Sequence, residues 1–167
     1  MKKPVSKVAK TADQRSLGDP GSDDFRLDRY PFYLLNRTVS RYNIVIGLRL
    51  RAIGLDIPTW RVLMVLGEHA PRSIGQIAEA SVINLSTMMR IIGRMVEAGL
   101  VTNAAAPDDA RVTEVFLTGQ GQTKLTEARA ATAPVYAALI TGFSAADFDR
   151  MIVLMNRLHD NLEATGV

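Results

Sequence analysis

A mainly α-helical fold with one small β-hairpin is what this sequence predicts, on three observations. Apolar residues recur at mixed three- and four-residue spacing through most of the chain after residue 25. A short helix opening at Ser73 and another opening at Asn84 stand so close that only a tight turn fits between them. Directly afterwards, "GLVTNAAAPDDARVTEVFLT" sets β-branched and apolar residues on either side of a Pro-Asp-Asp turn cluster, as a hairpin requires.

Taken in order, residues 1–24 predict disorder. Lys2, Lys3, Lys7, Lys10 and Arg15 face only Asp13, an acidic stretch follows, and large apolar side chains are scarce. Such a tail reads as solubilising, with contact to DNA phosphates as a second use. From Phe25 to Gly54 the segment "FYLLNRTVSRYNIVIGLRLRAI" predicts a first long helix, with Leu34, Leu35, Val39, Ile44, Ile46 and Leu48 as its apolar positions and Gly54 as its C-terminal cap. Asp56 caps a second helix, and Pro58 falls in its first turn, where a missing N–H costs little.

Ser73 and Gln76 have capping-box spacing, so a short third helix begins there with Ile74, Ile77 and Ala78 facing inward. Asn84 caps the fourth, running to about Ala98. A rotation of about 100° per residue gathers Ser86, Thr87, Arg90, Arg94 and Glu97 into one arc, leaving Leu85, Met88, Ile91, Ile92 and Met95 to anchor the helix. Short hydroxyls near a helix start with arginines further along suit a helix that reads DNA in the major groove. Taken alone, a solvated stripe with Arg94 paired to Glu97 explains the same residues.

The hairpin decides between them. Gly99 ends the helix, Val112, Glu114 and Phe116 alternate with Thr113, Val115 and Leu117, and the whole becomes a winged helix-turn-helix whose wing can follow the sugar–phosphate backbone or enter the minor groove. After Thr118 the helical period returns. Pro134 predicts a kink or interruption, and "GQGQTKL" places glycines at a helix start where they shape a turn or attract an anion. Ser144 and Asp147 open a last helix, whose seam of Phe148, Ile152, Met155, Leu158 and Leu162 suits a subunit interface or packing onto the first helix, and both together.

Three segments, "WRVLMVLGEHAPRSIGQIAEA", "LSTMMRIIGRMVEAGLV" and "PDDARVTEVFLT", in that order and spacing, resemble the MarR (multiple antibiotic resistance regulator) family of winged-helix transcription factors over about residues 30–165. The resemblance implies four parts: the tail 1–24, an N-terminal dimerisation helix 25–54, a DNA-binding domain 55–118, and C-terminal dimerisation helices 119–167. It implies a homodimer, double-stranded DNA with a pseudo-palindromic operator as partner, and a repressor relieved by a small effector such as an aromatic carboxylate or acyl thioester.

By the same resemblance Ser86, Thr87, Arg90 and Arg94 match the DNA-reading helix, and Asp109 and Arg111 match the acidic and basic pair of the wing. A turn-forming role for Asp109 carries equal weight. Tyr33, Arg37, Arg41 and Trp60 match an effector pocket, against which stands ordinary core packing of the aromatics. The chain departs from the family in "TNAAAP", where members usually carry further basic residues. Fewer phosphate contacts mean a shallower salt dependence, which keeps open a dimeric winged-helix protein that acts through ligand or protein partners.

Composition narrows the rest. With 20 Lys and Arg against 17 acids the net charge is +3, enough to permit an anionic partner without demanding one. Cysteine is absent, and His69 and His159 are far apart with no ligand-spaced neighbour, so no metal, cofactor or catalytic site is expected. No apolar run is long enough to span a bilayer and no secretion signal is visible, which predicts a cytoplasmic protein with no membrane partner.

Overall fold

The computed structural model describes residues 13–109 and 111–166. The chain divides into two units, Met1–Ile44 and Val45–Val167, with the division inside the first helix. In the first unit, 3-10 turns at Arg15–Gly18 and Leu27–Arg29 precede α1, Pro31–Arg51. Of the segment 1–24 read as disordered, 13–24 are described and carry turns, and 1–12 lie outside the described residues. The cause is local. The Asp13 carboxylate accepts from the Arg15 backbone and guanidinium, Asp19 Oδ1 accepts from Gly21 N–H at 2.8 Å, and Arg26 N–H donates to the Leu17 carbonyl. Aspartate turns of this kind make order from residues that composition counts as disorder-promoting.

The second unit holds the end of α1, then α2 (Ile57–Glu68), β1 (Arg72–Ser73), α3 (Ile74–Ser81), α4 (Leu85–Glu97), β2 (Val101–Ala105), β3 (Thr113–Leu117), α5 (Gly119–Leu139) and α6 (Ala145–Glu163). Each expected N-terminal cap is made: Asp56 accepts from Thr59 N–H, Ser73 and Gln76 form a reciprocal capping box, Asn84 accepts from Thr87 N–H, and Ser144 and Asp147 form the second box. These bonds satisfy amide donors that a helix start leaves without partners.

The core of this unit lies beneath α2, α3 and α4. Val62, Leu63, Ile77, Met88, Ile92 and Met95 are fully or almost fully buried, together with Val115 of the sheet and Leu125 of α5. Removing each such side chain from water contributes about 2 kcal/mol, so the four inward residues of α4 alone set that helix's roll angle firmly.

The sheet is three-stranded and antiparallel, ordered β1-β3-β2, rather than a simple hairpin. Arg72 lies opposite Val115 and Val101 opposite Leu117. Two residues carry no alternation period, which is why β1 was illegible in sequence. Along β2 only Val101 is buried, so the strand leaves the core towards the wing tip. Pro134 does not interrupt α5, which continues from Gly119 to Leu139; the helical bonds on either side carry the helix across the missing donor.

One junction sets where the wing begins. Gly99 takes a φ of +68°, Thr118 N–H donates to the Leu100 carbonyl at 3.1 Å, and Thr118 Oγ donates to the Gly99 carbonyl while accepting from Gly121 N–H. A Cβ on Gly121 would lie 1.9 Å from the Leu100 carbonyl oxygen, so only glycine fits at that approach. None of α6 is buried within the chain: Ile152, Val153, Met155 and Leu162 are exposed, and Phe148 and Leu158 only half-buried.

Gly121→Ala should lower the unfolding free energy by about 1–3 kcal/mol in urea titrations, because backbone must move. Gly119→Ala, with open space around its added methyl, should stay within about 0.5 kcal/mol of wild type.

Candidate nucleic-acid interface

A backbone turn and a side-chain hydrogen bond aim α4. Val82, between α3 and α4, sits at φ 54° and ψ 50°, a left-handed conformation that reverses the chain within a few residues. Arg61 of α2 donates to the Ser81 carbonyl at 3.2 Å, so a cation closes the C-terminal end of α3. The chain then re-enters helix at Asn84, whose Oδ1 accepts from both Thr87 N–H (2.8 Å) and Ser86 Oγ (3.0 Å).

With Met88, Ile91, Ile92 and Met95 buried, the opposite side of α4 is open. Ser86, Arg90 and Arg94 are exposed and Thr87 is half-buried, so the structure brings together the four helix residues singled out in sequence. Thr87, Arg90, Gly93, Arg94 and Glu97 line an open depression of ≈ 680 Å³. Arg90 makes one long contact, 3.4 Å to Thr87 Oγ, which leaves its guanidinium free to reach outward.

Two readings need correction. Leu85, expected to anchor the helix, is 53% exposed, because its position at the first turn falls on the rim of the buried arc. Arg94 pairs with Asp56 at 3.5 Å and not with Glu97. The two partners stand 38 residues apart, so no local spacing signals the pair. Asp56 thus has two tasks, capping α2 through Oδ1 and holding Arg94 through Oδ2. Partial burial pushes its carboxyl up, but hydrogen bonds from Thr59 and then the charge of Arg94 bring it below its ordinary value. Both side chains are about half exposed, and such a pair contributes at most about 1 kcal/mol.

In the wing, Asp109 Oδ1 accepts from Arg111 N–H at 3.0 Å and from its Nε at 3.1 Å, and Oδ2 accepts from Nη2 at 3.3 Å. The guanidinium hydrogen-bonds to Asp109 hold its carboxyl below the usual range. Asp109 thus accepts from both the backbone and the guanidinium of Arg111, whose side chain remains 91% exposed. Arg111 is the one cation between Val101 and Val112.

Of the effector candidates, Tyr33, Arg37 and Arg41 lie on α1 in the first unit, Tyr33 half-buried and both arginines exposed. Trp60 lies on α2 in the second, half-buried, and its indole Nε1 is buried without a hydrogen-bond partner. Among the described residues no group of three or more His, Cys, Asp or Glu could hold a metal ion, and no helix is long and apolar enough to cross a membrane.

A model of the MarR family matches residues 53–112. The chain is 37% identical over 145 residues to the HTH-type transcriptional repressor IacR of Pseudomonas putida, covering 87% of each. Among solved structures it is similar to a MarR-family transcriptional regulator from Silicibacter pomeroyi, with a TM-score of 0.74, 24% identity, and coverage of 81% of this chain and 92% of that one. It is also similar to Bordetella bronchiseptica BpsR, whose DNA binding is regulated by 6-hydroxynicotinic acid, with a TM-score of 0.72, 20% identity, and coverage of 81% and 97%. These two likenesses carry the fold.

Asp56→Asn keeps a capping oxygen and removes the charge that faces Arg94. Because the folded carboxyl lies below its ordinary value of 3.8, its contribution is complete above that pH and is lost as pH falls through the depressed value. Urea unfolding should therefore show wild type more stable than the variant by less than about 1 kcal/mol at neutral pH, with the gap closing in acid.

Proposed function

This chain belongs to the MarR family, and from that premise we propose that it is a cytoplasmic, homodimeric, sequence-specific DNA-binding repressor released by a small effector. The observation that carries the reading is the open face of α4, where Ser86, Thr87, Arg90 and Arg94 share one side of a helix whose other side is locked into the core. Hydroxyls near the helix start and a free guanidinium at Arg90 meet base edges in the major groove, and Arg111 enters the narrow, electronegative minor groove. Asp109 pre-orients that arginine, so less side-chain freedom is lost on binding.

We assign residues 25–54 and 119–167 to dimerisation. The support is the apolar surface of α6, with Ile152, Val153, Met155 and Leu162 left in water in a single chain. A two-fold dimer sets two recognition helices about one DNA turn apart and so calls for a pseudo-palindromic operator.

For the effector we favour an aromatic carboxylate or an acyl thioester, with Trp60 as the candidate contact in the second unit and Tyr33, Arg37 and Arg41 as separate candidates in the first. The orphaned, buried Trp60 Nε1 supports this, since an indole N–H left without an acceptor loses about 1–3 kcal/mol that a ligand oxygen would restore. Release requires that the ligand favour one spacing of the recognition helices over the other.

A second reading is favoured by the wing, where Thr102, Asn103, Ala104 and Ala105 are exposed and uncharged. It is a dimer of the same fold that binds DNA weakly and works through ligand or protein partners.

Fluorescence anisotropy of the protein on its own upstream DNA against a scrambled duplex, across a salt series, separates the two readings. Arg90→Ala should weaken specific binding at least tenfold while leaving the dimer intact, and Arg111→Ala should weaken all sequences alike and reduce the log–log salt slope by about one. No preference for upstream DNA at any salt would favour the second reading. Because Trp60 is the one tryptophan, titration with simple aromatic acids should quench the protein's indole fluorescence in step with release of DNA. Release with unchanged emission would remove Trp60 from the pocket.

A further inference from the structure

Two rows of side chains run along the open face of α4, each spaced by four residues. One is Ser86, Arg90, Arg94, polar and cationic. The other is Leu85, Met89, Gly93, and nothing in the proposed function uses it. Leu85 is 53% exposed and Met89 57%, although both are large apolar side chains on a helix with a well-formed buried side of its own. Gly93 continues the row, and a Cβ built there meets nothing within 4 Å. A glycine inside a helix is unfavourable relative to alanine, and no packing among the described residues calls for it.

Resting on the DNA-binding reading of α4, we infer that the Leu85–Met89 row recognises the C5 methyl groups of thymine in the major groove, with Gly93 letting the groove wall approach the helix. The chemistry matches on three counts. Thymine is the one base that presents a methyl group in the major groove, and an aliphatic side chain is its natural contact. Leu85 and Met89 occupy the first half of the helix, the part that approaches base edges when a recognition helix docks. The cationic row lies immediately beside them, so a groove that receives Arg90 for its bases or phosphates brings the apolar row against the adjoining base pairs.

Met89 adds a flexible, polarisable chain that adapts to the methyl it meets, while Leu85, beside the Asn84 cap, is held more rigidly. Sequence preference then has two sources. Arg90 and Ser86 supply hydrogen bonds, and Leu85 and Met89 supply a demand for thymine at neighbouring positions.

The test uses duplexes recovered by the full-length wild-type protein from a random DNA pool, and the same duplexes with thymidine replaced by deoxyuridine, which removes only the methyl. Wild type should lose about fourfold in affinity for each methyl it touches. Leu85→Gln/Met89→Gln should bind more weakly and no longer distinguish thymidine from deoxyuridine. Both side chains are solvent-exposed, so its thermal melt should match wild type, and Met89→Gln alone should retain part of the discrimination. Gly93→Ala should raise the melting temperature and weaken DNA binding.

Wild-type binding that ignores the replacement would overturn the inference and leave the DNA-binding reading standing. Equal loss in wild type and the double variant would also overturn it, because the methyls would then act through DNA shape. Recovery of no preferred sequence would end the DNA-binding reading and this inference with it.

Discussion

Burial of one side of α4 is the constraint on which the rest depends. Met88, Ile91, Ile92 and Met95 are held against α2, α3 and the sheet, and a helix so anchored cannot roll without exposing several apolar side chains at about 2 kcal/mol each. Its outer face is thereby presented as a rigid surface. The charged groups on that face need no structural role of their own, and Arg90 has no ionic partner among the described residues.

The wing follows from the same anchorage by a short path. Gly99 turns the chain out of α4, Thr118 ties the start of α5 back to the Gly99 and Leu100 carbonyls, and Gly121 permits the approach that brings them together. β2 and β3 therefore leave the core at a fixed place beside α4. At the far end, where packing no longer reaches, Asp109 replaces it with hydrogen bonds to Arg111. Core packing orders the base of the wing and electrostatics orders its tip.

Asp56 illustrates how one side chain can join two helices. It caps α2 with one oxygen and engages Arg94, at the C-terminal part of α4, with the other. At the surface the pair is weak, since both side chains are about half exposed.

Much of this was legible in the residues themselves. Helix starts were readable at Asp56, Ser73, Asn84 and Ser144 because capping is a local interaction, complete within four residues, and Gly99 and the Pro-Asp-Asp cluster were readable because turns need particular backbone angles. The polar arc of α4 was visible because helical rotation is fixed by the backbone hydrogen bond. What sequence could not supply was non-local. The two-residue strand β1 exists only because β3 offers it an edge, Arg94 meets Asp56 across two helices, Leu85 falls on the rim of the buried arc and stays exposed, and Pro134 sits within a helix that continues past it. By itself the sequence determined where elements begin and which residues each one could present, since those depend on bonds between near neighbours. Only the tertiary structure decided which of those residues face water and which face each other, because burial is a property of the whole assembled surface.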